Sequence, residues 1–288
     1  MWREWWVAGA LLLAPAVLWA QRPILGDNLY DVAIVGQRVW AVGYHGTILC
    51  SPDGGRHWSL QRSGTARALF AVCFLDERRG WAVGKDGTIV HTVDGRRWFP
   101  QRSGTEAHLF DVQFLDRDHG WACGTGGTIL RTEDGGRSWK RASLGEDLDL
   151  YGIWFRDRNR GVVVGEYGAI LHSEDGGRTW RKAASPVEID PLSGASQCLF
   201  RVRLLDERGF AVGMDGALLV TEDGGRTWRR LPTPLKRHLF DLCPLGHGLL
   251  AVGLRGAALR WAGNGSCLEL GLSLIHISEP TRPRLSSY

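Results

Sequence analysis

Lysine is scarce in this chain of 288 residues, because 31 of its 35 basic residues are arginine and only 4 are lysine. The formal net charge is only +4, which argues against nucleic-acid binding, where basic residues collect on one face. Arginine offers a planar, bidentate recognition of carboxylates and phosphates that lysine does not. The imbalance therefore indicates either a GC-rich genome or a surface that binds carboxylates or peptides.

Several patterns with a specific meaning are also missing. The chain has no Gly-X-Y period, which excludes collagen, and no helical periodicity of useful length. Its glycines follow strand–turn–strand patterns, so neither a phosphate-binding loop nor a cofactor is predicted. C-x-x-C spacing is absent from the six cysteines Cys50, Cys73, Cys123, Cys198, Cys243 and Cys267, so no metal site is expected. Most of them stand where other repeats hold apolar strand residues, which predicts buried thiols; disulfides are permitted by export but not implied by the spacing.

The first twenty residues have the features of a secretory signal peptide. Arg3 supplies a positive charge, residues 7–18 are apolar, and Ala20 is the predicted cleavage edge. The apolar stretch is shorter than the roughly 20 residues that span a bilayer. We therefore expect an exported mature chain in the periplasm, with an uncleaved anchor as the alternative.

The other end carries an unusual segment. From Leu272 the chain reads Leu-Ser-Leu-Ile-His-Ile-Ser-Glu-Pro-Thr-Arg, which resembles a translated transposase adapter used in preparing sequencing libraries. Residues 272–288 are therefore predicted to be an artefact, disordered and outside the fold. The natural protein is expected to continue beyond Gly271.

A unit of about forty residues recurs six times between these ends, with starts near residues 29, 69, 109, 150, 199 and 239. Each unit reads as four short strands separated by glycine-rich turns, and the chain's 14 tryptophans supply one or two per unit to fill the wedge between neighbours. This pattern is typical of a β-propeller. We predict an all-β propeller with four-stranded blades over residues 21–271, with six repeats visible.

Most units contain the Asp-box S/T-x-D-G-G-x-x-W. Its aspartate is expected to accept backbone N–H bonds within its own turn, and its tryptophan to cover the hairpin. Glycoside hydrolysis needs a pair of carboxylates, which equivalent residues one blade apart do not supply. A structural role is therefore predicted for Asp53, Asp94, Asp134, Asp175, Asp223, Trp58, Trp98, Trp139, Trp180 and Trp228.

The full unit is Leu-aromatic-x-Val … Gly-Trp-Ala-Val-Gly-x-x-Gly-Thr-Ile … Asp-Gly-Gly-Arg-x-Trp. It resembles the photosystem II stability and assembly factor family, and still more the related exported proteins of non-photosynthetic bacteria; its Asp-boxes resemble bacterial neuraminidase-type repeats. The resemblance covers residues 29 to about 261. It implies a seven-bladed propeller in the periplasm, or in the thylakoid lumen of a photosynthetic source. The six visible repeats are then a truncated seven-bladed propeller, whose seventh repeat would lie in the part that the adapter-like segment replaces.

For function, the resemblance implies a non-enzymatic scaffold that binds a protein or peptide, such as a membrane-protein assembly intermediate, through an arginine-rich patch. We expect a monomer that is at most peripheral to a membrane. The sequence departs from the family in showing six repeats, and nothing in it points to a phototroph. Its function is therefore less specified than its fold.

Arginines on one rim of the propeller are the first candidates for partner binding. The turns between first and second strands lie on the same rim as the Asp-boxes. These turns carry Arg78, Arg79, Arg117, Arg156, Arg158, Arg160 and Arg208, and the Asp-boxes add Arg56, Arg96, Arg137, Arg178 and Arg226. Acidic residues alternate with them. The alternatives are a solvated rim of mixed charge and a patch that clamps an acidic peptide or a C-terminal carboxylate.

Arg201 and Arg203 are the second candidates, because they occupy first-strand positions held by aspartate or smaller residues in other repeats. First strands line the channel of a propeller. Arg201 is therefore expected either to neutralise the aspartates or to mark a ligand site in the channel. An insertion at residues 183–198 directly precedes it and reads either as a functional loop or as a tolerated surface insertion.

A sialidase-like glycosidase is the alternative from a different functional class. Such a site resembles an arginine triad with a Tyr/Glu nucleophile and an aspartate on long loops, and Glu166 beside Tyr167 is the pair that comes nearest to it. Adjacent residues on one short turn are poorly placed to act on a common substrate. No catalytic residue is therefore assigned. A periplasmic accessory protein of an envelope transporter is the third alternative.

Overall fold

The computed structural model describes residues 28–142, 144–186, 198–245, 248–263 and 266–270. The predicted signal peptide, the adapter-like segment and residues 187–197 of the insertion lie outside the described residues. Within the described ranges the chain is all-β apart from five three-residue 3-10 turns. No helix in these ranges is long and apolar enough to span a membrane.

The strands form six antiparallel sheets of four, each built from four consecutive strands. Blade 1 has β1 (Leu29–Val35), β2 (Arg38–Gly43), β3 (Ile48–Ser51) and β4 (Ser59–Gln61). Blade 2 has β5 (Leu69–Phe74), β6 (Gly80–Gly84), β7 (Ile89–Thr92) and β8 (Trp98–Gln101). Blade 3 has β9 (Leu109–Phe114), β10 (Gly120–Gly124), β11 (Ile129–Thr132) and β12 (Lys140–Ala142). Blade 4 has β13 (Leu150–Phe155), β14 (Gly161–Gly165), β15 (Ile170–Ser173) and β16 (Arg181–Lys182). Blade 5 has β17 (Leu199–Leu205), β18 (Arg208–Gly213), β19 (Leu218–Thr221) and β20 (Arg229–Arg230). Blade 6 has β21 (Leu239–Leu245), β22 (Gly248–Gly253), β23 (Ala258–Trp261) and β24 (Cys267–Glu269). The predicted propeller of four-stranded blades is confirmed with six blades, and the seventh stays a prediction.

Glycine is required in the turn between the second and third strands. In blade 2, Asp86 has φ 53° and Gly87 has φ 66°, a left-handed conformation that glycine adopts without cost. A Cβ on Gly87 would lie 1.9 Å from the carbonyl oxygen of Thr105. The turn is therefore packed so closely on the following connection that no other residue fits.

Tryptophans on the second strands join neighbouring blades. The rings of Trp121 and Phe155 stack with centroids 3.8 Å apart, and Trp180 meets the same phenylalanine edge-on at 5.8 Å. The indole Nε1 of Trp121 also donates to the carbonyl oxygen of Gly176 at 2.9 Å. Each such contact combines aromatic packing with a hydrogen bond to a turn of the next blade.

That turn is one of five aspartate turns, which begin at Ser51, Thr92, Thr132, Ser173 and Thr221. In the second of them, Asp94 Oδ1 accepts the backbone N–H groups of Arg97 at 2.8 Å and Arg96 at 2.9 Å. These bonds hold the pKa of Asp94 at about 2, because they favour the charged carboxylate. The carboxylate thus serves the backbone of its own turn.

Backbone bonds tie the aspartate turns to the first–second turns of the same blade. Gly135 N–H donates to the carbonyl of Asp118 at 2.9 Å, and Gly176 N–H donates to that of Asn159 at 2.8 Å. Both kinds of turn therefore lie on one rim of the propeller, which we call the aspartate rim.

Candidate functional site

Most of the predicted rim arginines are held by carboxylates. Arg158 donates two hydrogen bonds to Asp116 Oδ2, at 3.0 and 2.8 Å, and Arg160 Nε lies 2.9 Å from Asp157 Oδ2. Arg156 Nη1 lies 2.6 Å from Glu207 Oε1. Arg156 and Arg160 therefore share one ion-pair network with Asp157 and Glu207 on blades 4 and 5, and Arg158 is paired separately with Asp116 of blade 3.

Blade 2 contributes the other predicted pair. Arg79 Nη1 lies 3.0 Å from Asp76 Oδ2. Arg78 is exposed, and its guanidinium forms no ion pair or hydrogen bond within the described part of the chain. The two neighbouring arginines therefore differ in availability, and no ion pair in the described residues joins them to the arginines of blade 4.

A groove of about 700 Å³ opens on the aspartate rim between blades 2 and 3. We call it the arginine groove. Its lining combines the end of the outer strand β8, the first–second turn of blade 3 and the aspartate turn of blade 3. It is lined by Arg79, Trp81, His91, Thr92, Val93, Pro100, Gln101, Arg102, Arg117, Asp118, Asp134, Gly135, Gly136 and Arg137.

Three arginines of this groove are free of partners. Arg102, Arg117 and Arg137 are exposed, and among the described residues none of their guanidinium groups has an ion pair or a hydrogen bond. The wall carboxylate of Asp134 is engaged by Ser138, whose N–H and Oγ lie at 2.9 and 2.6 Å. The lining of the arginine groove thus carries four arginines, with Arg79 as the fourth, against the two carboxylates of Asp118 and Asp134, so its net charge is positive.

The floor of the arginine groove is rigid. Trp81 Nε1 donates to the carbonyl oxygen of Gly135 at 3.3 Å, and Gln101 Nε2 donates to the same oxygen at 2.9 Å. The Trp81 ring stacks on Phe114 with centroids 3.6 Å apart. Val93 and Pro100 are exposed in the lining and can take an apolar side chain while the arginines take a carboxylate.

Sequence reasoning placed Arg117 and Arg137 on this rim but did not single out Arg102. Arg102 follows an outer strand, away from the turns that supplied the other candidates. The signal for it is the pentapeptide Gln-Arg-Ser-Gly-Thr, which occurs at residues 61–65 and again at 101–105. Only the second copy faces the two free arginines of the following blade.

The channel contains the second predicted pair. Arg201 Nη1 lies 2.8 Å from Asp111 Oδ1, its Nε lies 2.9 Å from Asp241 Oδ1, and its Nη2 lies 3.7 Å from Asp31 Oδ1. Burial disfavours the charged guanidinium, but the three carboxylates outweigh it and raise the pKa of Arg201. The aspartates on the first strands of blades 1, 3 and 6 are thereby joined to Arg201 on the first strand of blade 5, in the channel of the propeller.

Arg203 lies two residues beyond Arg201 on the same strand, β17. Its guanidinium carbon lies 4.5 Å from the centre of the Trp154 ring. Its Nη1 donates to the carbonyl oxygen of Val202 at 3.0 Å. Burial, followed by the charge of Arg201, lowers the pKa of Arg203. The side chain thus packs against the channel wall through a cation–π contact.

Glu166 and Tyr167, the pair considered for glycoside hydrolysis, lie in the short turn between β14 and β15. Glu166 Oε2 accepts the backbone N–H of Asp149 at 3.0 Å, and Tyr167 has φ 54°. Within the described ranges no group of three or more His, Cys, Asp or Glu residues is arranged to hold a metal ion. The six cysteines are free thiols.

Comparison with known proteins places the chain in a family. The family model described as photosynthesis system II assembly factor YCF48 matches residues 19–93, 90–150 and 138–239. The photosystem II stability/assembly factor HCF136, chloroplastic, of Arabidopsis thaliana is 35% identical over 71 residues, which are 24% of this chain and 18% of that protein. The chain therefore spans less than a fifth of that relative's length.

Solved structures show the same fold. YCF48 bound to a D1 peptide has a TM-score of 0.53 at 17% identity, over 82% of this chain and 92% of that one. The WD40 propeller domain of Doa1 has a TM-score of 0.64 at 14% identity, over 85% and 84%. An ancestral GH74 enzyme has a TM-score of 0.64 at 15% identity, over 84% and 38%. On the strength of the family match, this six-bladed propeller belongs to the photosystem II assembly factor YCF48 family.

Proposed function

We propose that this chain is an exported, non-enzymatic scaffold that binds a polypeptide partner in the arginine groove. One observation carries the proposal: Arg102, Arg117 and Arg137 surround one groove without a carboxylate partner in the described residues. Charge-assisted bonds to guanidinium groups bind carboxylates strongly. The fitting ligand is an acidic segment or a C-terminal carboxylate with an apolar side chain beside it.

A peptide-bound relative supports the class of ligand, since one similar solved structure is YCF48 with a D1 peptide. By extension, the partner that we propose is an assembly intermediate of a membrane protein. The scaffold itself is proposed to be a monomer that is at most peripheral to the membrane. Of the arginines predicted from the sequence, Arg79 lines the arginine groove. Arg78, Arg156, Arg158, Arg160, Arg201 and Arg203 stay candidates for a wider contact.

Fluorescence anisotropy with a labelled acidic decapeptide tests the proposal. The triple substitution Arg102→Ala, Arg117→Ala, Arg137→Ala should weaken binding about tenfold or more, because each charge-assisted bond contributes about 1.5–3 kcal/mol. Amidation of the peptide's C-terminus shows whether the terminal carboxylate takes part. Unchanged affinity in the triple variant would refute the arginine groove as the site.

A matched control removes the same charge elsewhere. Arg56, Arg62 and Arg230 are exposed and have no ion pair in the described part of the molecule, so replacing all three by alanine should leave the affinity within about twofold at moderate salt. Equal losses in both triple variants would mean that net charge alone drives binding.

Two further measurements test the rest of the proposal. Cell fractionation that leaves the protein in the cytoplasm would contradict export. Hydrolysis of chromogenic glycosides that disappears in Glu166→Gln would contradict a non-enzymatic role and favour the sialidase-like alternative.

A further inference from the structure

The first, or inner, strand of every blade has an aromatic second residue, and these rings form one continuous row. Neighbouring ring centroids lie 5.4 to 5.7 Å apart along Tyr30, Phe70, Phe110, Tyr151, Phe200 and Phe240. Each inner strand begins beside the turn between the second and third strands of its own blade, as the pairing of Leu150 with Gly165 shows. The row therefore follows the channel at the end opposite the aspartate rim. We call Phe110, Tyr151 and Phe200, which lie on blades 3 to 5, the aromatic mouth.

The three rings of the aromatic mouth keep part of their surface open. Each is partly exposed, whereas the leucine that precedes it on its strand is fully buried. The planes of Phe110 and Tyr151 are tilted by 42° and those of Tyr151 and Phe200 by 57°, so no ring is stacked flat on its neighbour. The Tyr151 hydroxyl forms no hydrogen bond within the described ranges. Contacts between blades therefore leave ring surface available to a ligand.

Two carboxylates flank Tyr151. Asp149 lies two residues before it, and Glu166 begins the turn between β14 and β15. The N–H of Gly126 donates to Asp149 Oδ1 at 3.1 Å, and the N–H of Asp149 donates to Glu166 Oε2 at 3.0 Å. The second oxygen of each group, Asp149 Oδ2 and Glu166 Oε1, accepts no hydrogen bond from the described residues, and neither side chain forms an ion pair with them. Both carboxylates are thus held in place by the backbone with one oxygen free.

The carboxylates act on the aromatic mouth through their charge. Burial raises the pKa of the Tyr151 hydroxyl, and the negative charge of Glu166 is the next largest cause of the rise, with a further contribution from Asp149. A rise of this origin means that a second negative charge at the hydroxyl would be repelled. The carboxylates therefore make the potential at Tyr151 more negative, which attracts a positive charge.

Two basic side chains on this side of blades 3 and 4 are engaged elsewhere. Arg141 Nη2 donates to the carbonyl oxygen of Gly126 at 3.3 Å, and Lys182 Nζ lies 2.8 Å from Glu146 Oε2. Neither of them forms an ion pair with the two carboxylates beside Tyr151. The aromatic mouth thus joins open ring surface to negative charge that no cation in the described residues pairs with.

We propose that the aromatic mouth binds a basic side chain of the partner polypeptide. The ammonium or guanidinium group lies against the rings of Phe110 and Tyr151, where the cation–π attraction stabilises it, and beside the free oxygens of Asp149 and Glu166. An acidic side chain would be repelled, and an apolar one would desolvate the two carboxylates without compensation. The inference rests on the proposed function in one respect, that the partner is a polypeptide. It adds recognition of positive charge, at the opposite end of the propeller from the arginine groove.

Saturation-transfer NMR with N-acetyl-lysine methylamide tests the site, because this method detects the weak binding expected of a single side chain. The matched probe is N-acetyl-norleucine methylamide, which has the same backbone and carbon chain without the ammonium group. The lysine probe should bind the wild-type protein about fivefold more tightly than the norleucine probe, and added salt should reduce the difference. Equal binding of the two probes, or no binding of the lysine probe, would overturn the proposal.

Neutralising the two carboxylates isolates their charge. The double substitution Glu166→Gln, Asp149→Asn keeps an oxygen for each backbone N–H, so the turn should stay intact while the negative charge is lost. The lysine probe should then bind about fivefold more weakly, and the norleucine probe should bind as before. The matched variant Glu106→Gln, Asp206→Asn neutralises two exposed carboxylates that form no ion pair in the described part of the chain, and it should bind normally. Equal losses in the two variants would assign the effect to net charge and overturn the site.

The aromatic contact is tested with Phe110→Leu. Leucine keeps an apolar side chain but has no π-face, so the preference for the lysine probe over the norleucine probe should fall about threefold. Because Phe110 contacts Phe70 and Tyr151, normal binding of the acidic decapeptide first shows that this variant is folded. Phe99→Leu, which changes an exposed ring on the outer strand β8, is the control and should behave as the wild type. An unchanged preference in Phe110→Leu would overturn the cation–π contact.

Failure of this inference is separable from failure of the proposed function. The alanine triple variant at Arg102, Arg117 and Arg137 should bind the lysine probe normally, since the arginine groove and the aromatic mouth lie at opposite ends of the propeller. If the lysine probe does not bind the wild type while the acidic decapeptide does, the inference about the aromatic mouth is wrong and the groove proposal stands. A dimer that dissociates in the Glu166→Gln, Asp149→Asn variant would make a second copy the source of the basic side chain and also overturn the inference.

Discussion

Arg201 of blade 5 and Asp111 of blade 3 are joined across the channel by a hydrogen bond of 2.8 Å between Nη1 and Oδ1. The same guanidinium reaches carboxylates of blades 1 and 6. Sequence reasoning left two roles open for Arg201, and the geometry favours neutralisation of the aspartates. The first strands of blades 1, 3, 5 and 6 thus meet in one ion cluster in the channel.

Loss of Arg201 should destabilise the protein strongly. Arg201→Leu would leave three carboxylates facing one another in the channel, and removing one partner of a buried ion pair costs about 3–5 kcal/mol. We expect a fall in Tm of about 10 °C for a domain of this size, measured by circular dichroism. Arg62→Leu, an exposed control, should change Tm by about 1 °C or less; equal shifts in the two variants would contradict the cluster.

The same cluster makes stability depend on pH. Burial raises the pKa of Asp31 to about 6, with Arg201 opposing it. Between about pH 4 and 6 the folded chain holds a proton that the unfolded chain releases, so the free energy of unfolding rises as the pH falls from 7 towards 4. A carboxyl with this pKa contributes a change of about 3 kcal/mol.

Asp31→Asn isolates that contribution. Asparagine keeps an oxygen for the N–H of Val72 but does not titrate, and the aspartate turns affect both chains equally. Urea unfolding at about pH 7 and pH 4 should show the wild type gaining stability relative to Asp31→Asn as the pH falls. Parallel curves for the two chains would show that Asp31 does not hold a proton in the folded state.

The blades were predictable because each is a local unit: its strands lie within forty residues, and its turns are marked by glycine and aspartate. Arg201 illustrates what was not predictable, since its partners Asp31, Asp111 and Asp241 lie 40 to 170 residues away along the chain. Only the circular arrangement of the blades brings them together, and no spacing in the sequence encodes that meeting.

The arginine groove and the burial of the inner strands also depend on contacts between blades. Arg102 becomes part of a site because the following blade offers Arg117 and Arg137 beside it. Leu29 and Leu69 begin nearly the same sequence, yet one is half exposed and the other fully buried. A repeat pattern predicts the same environment for both, whereas Leu69 is buried because Trp40 and Val42 of blade 1 pack against it.

Trp121 should contribute both packing and a hydrogen bond between blades 3 and 4. Trp121→Phe keeps an aromatic ring against Phe155 but leaves the buried carbonyl of Gly176 without its donor, which should cost about 1–3 kcal/mol. Urea unfolding measures the loss. Trp58→Phe is the control, because Trp58 is 45% exposed and bonds only within its own turn; a larger loss there would contradict the importance of the contact between blades.

Thiol reactivity should separate the cysteines by burial. Burial raises the pKa of Cys73 to about 11 and that of Cys123 well above its usual value, and the thiol form is a poor nucleophile. Cys243 is exposed. At about pH 8 a disulfide reagent should therefore react with Cys243 first, and with Cys123 only about as fast as the protein opens.

Mass spectrometry of the labelled protein over time measures this order directly. Cys243→Ser should remove the fast phase and leave the slow ones, and denaturant should release all six thiols, because none is paired in the structure. A titre below six in denaturant without reductant would show a disulfide that the structure lacks. Fast labelling of Cys123 in the folded protein would contradict the tight packing between blades 3 and 4, where its side chain lies in the same apolar cluster as Trp121 and Phe155.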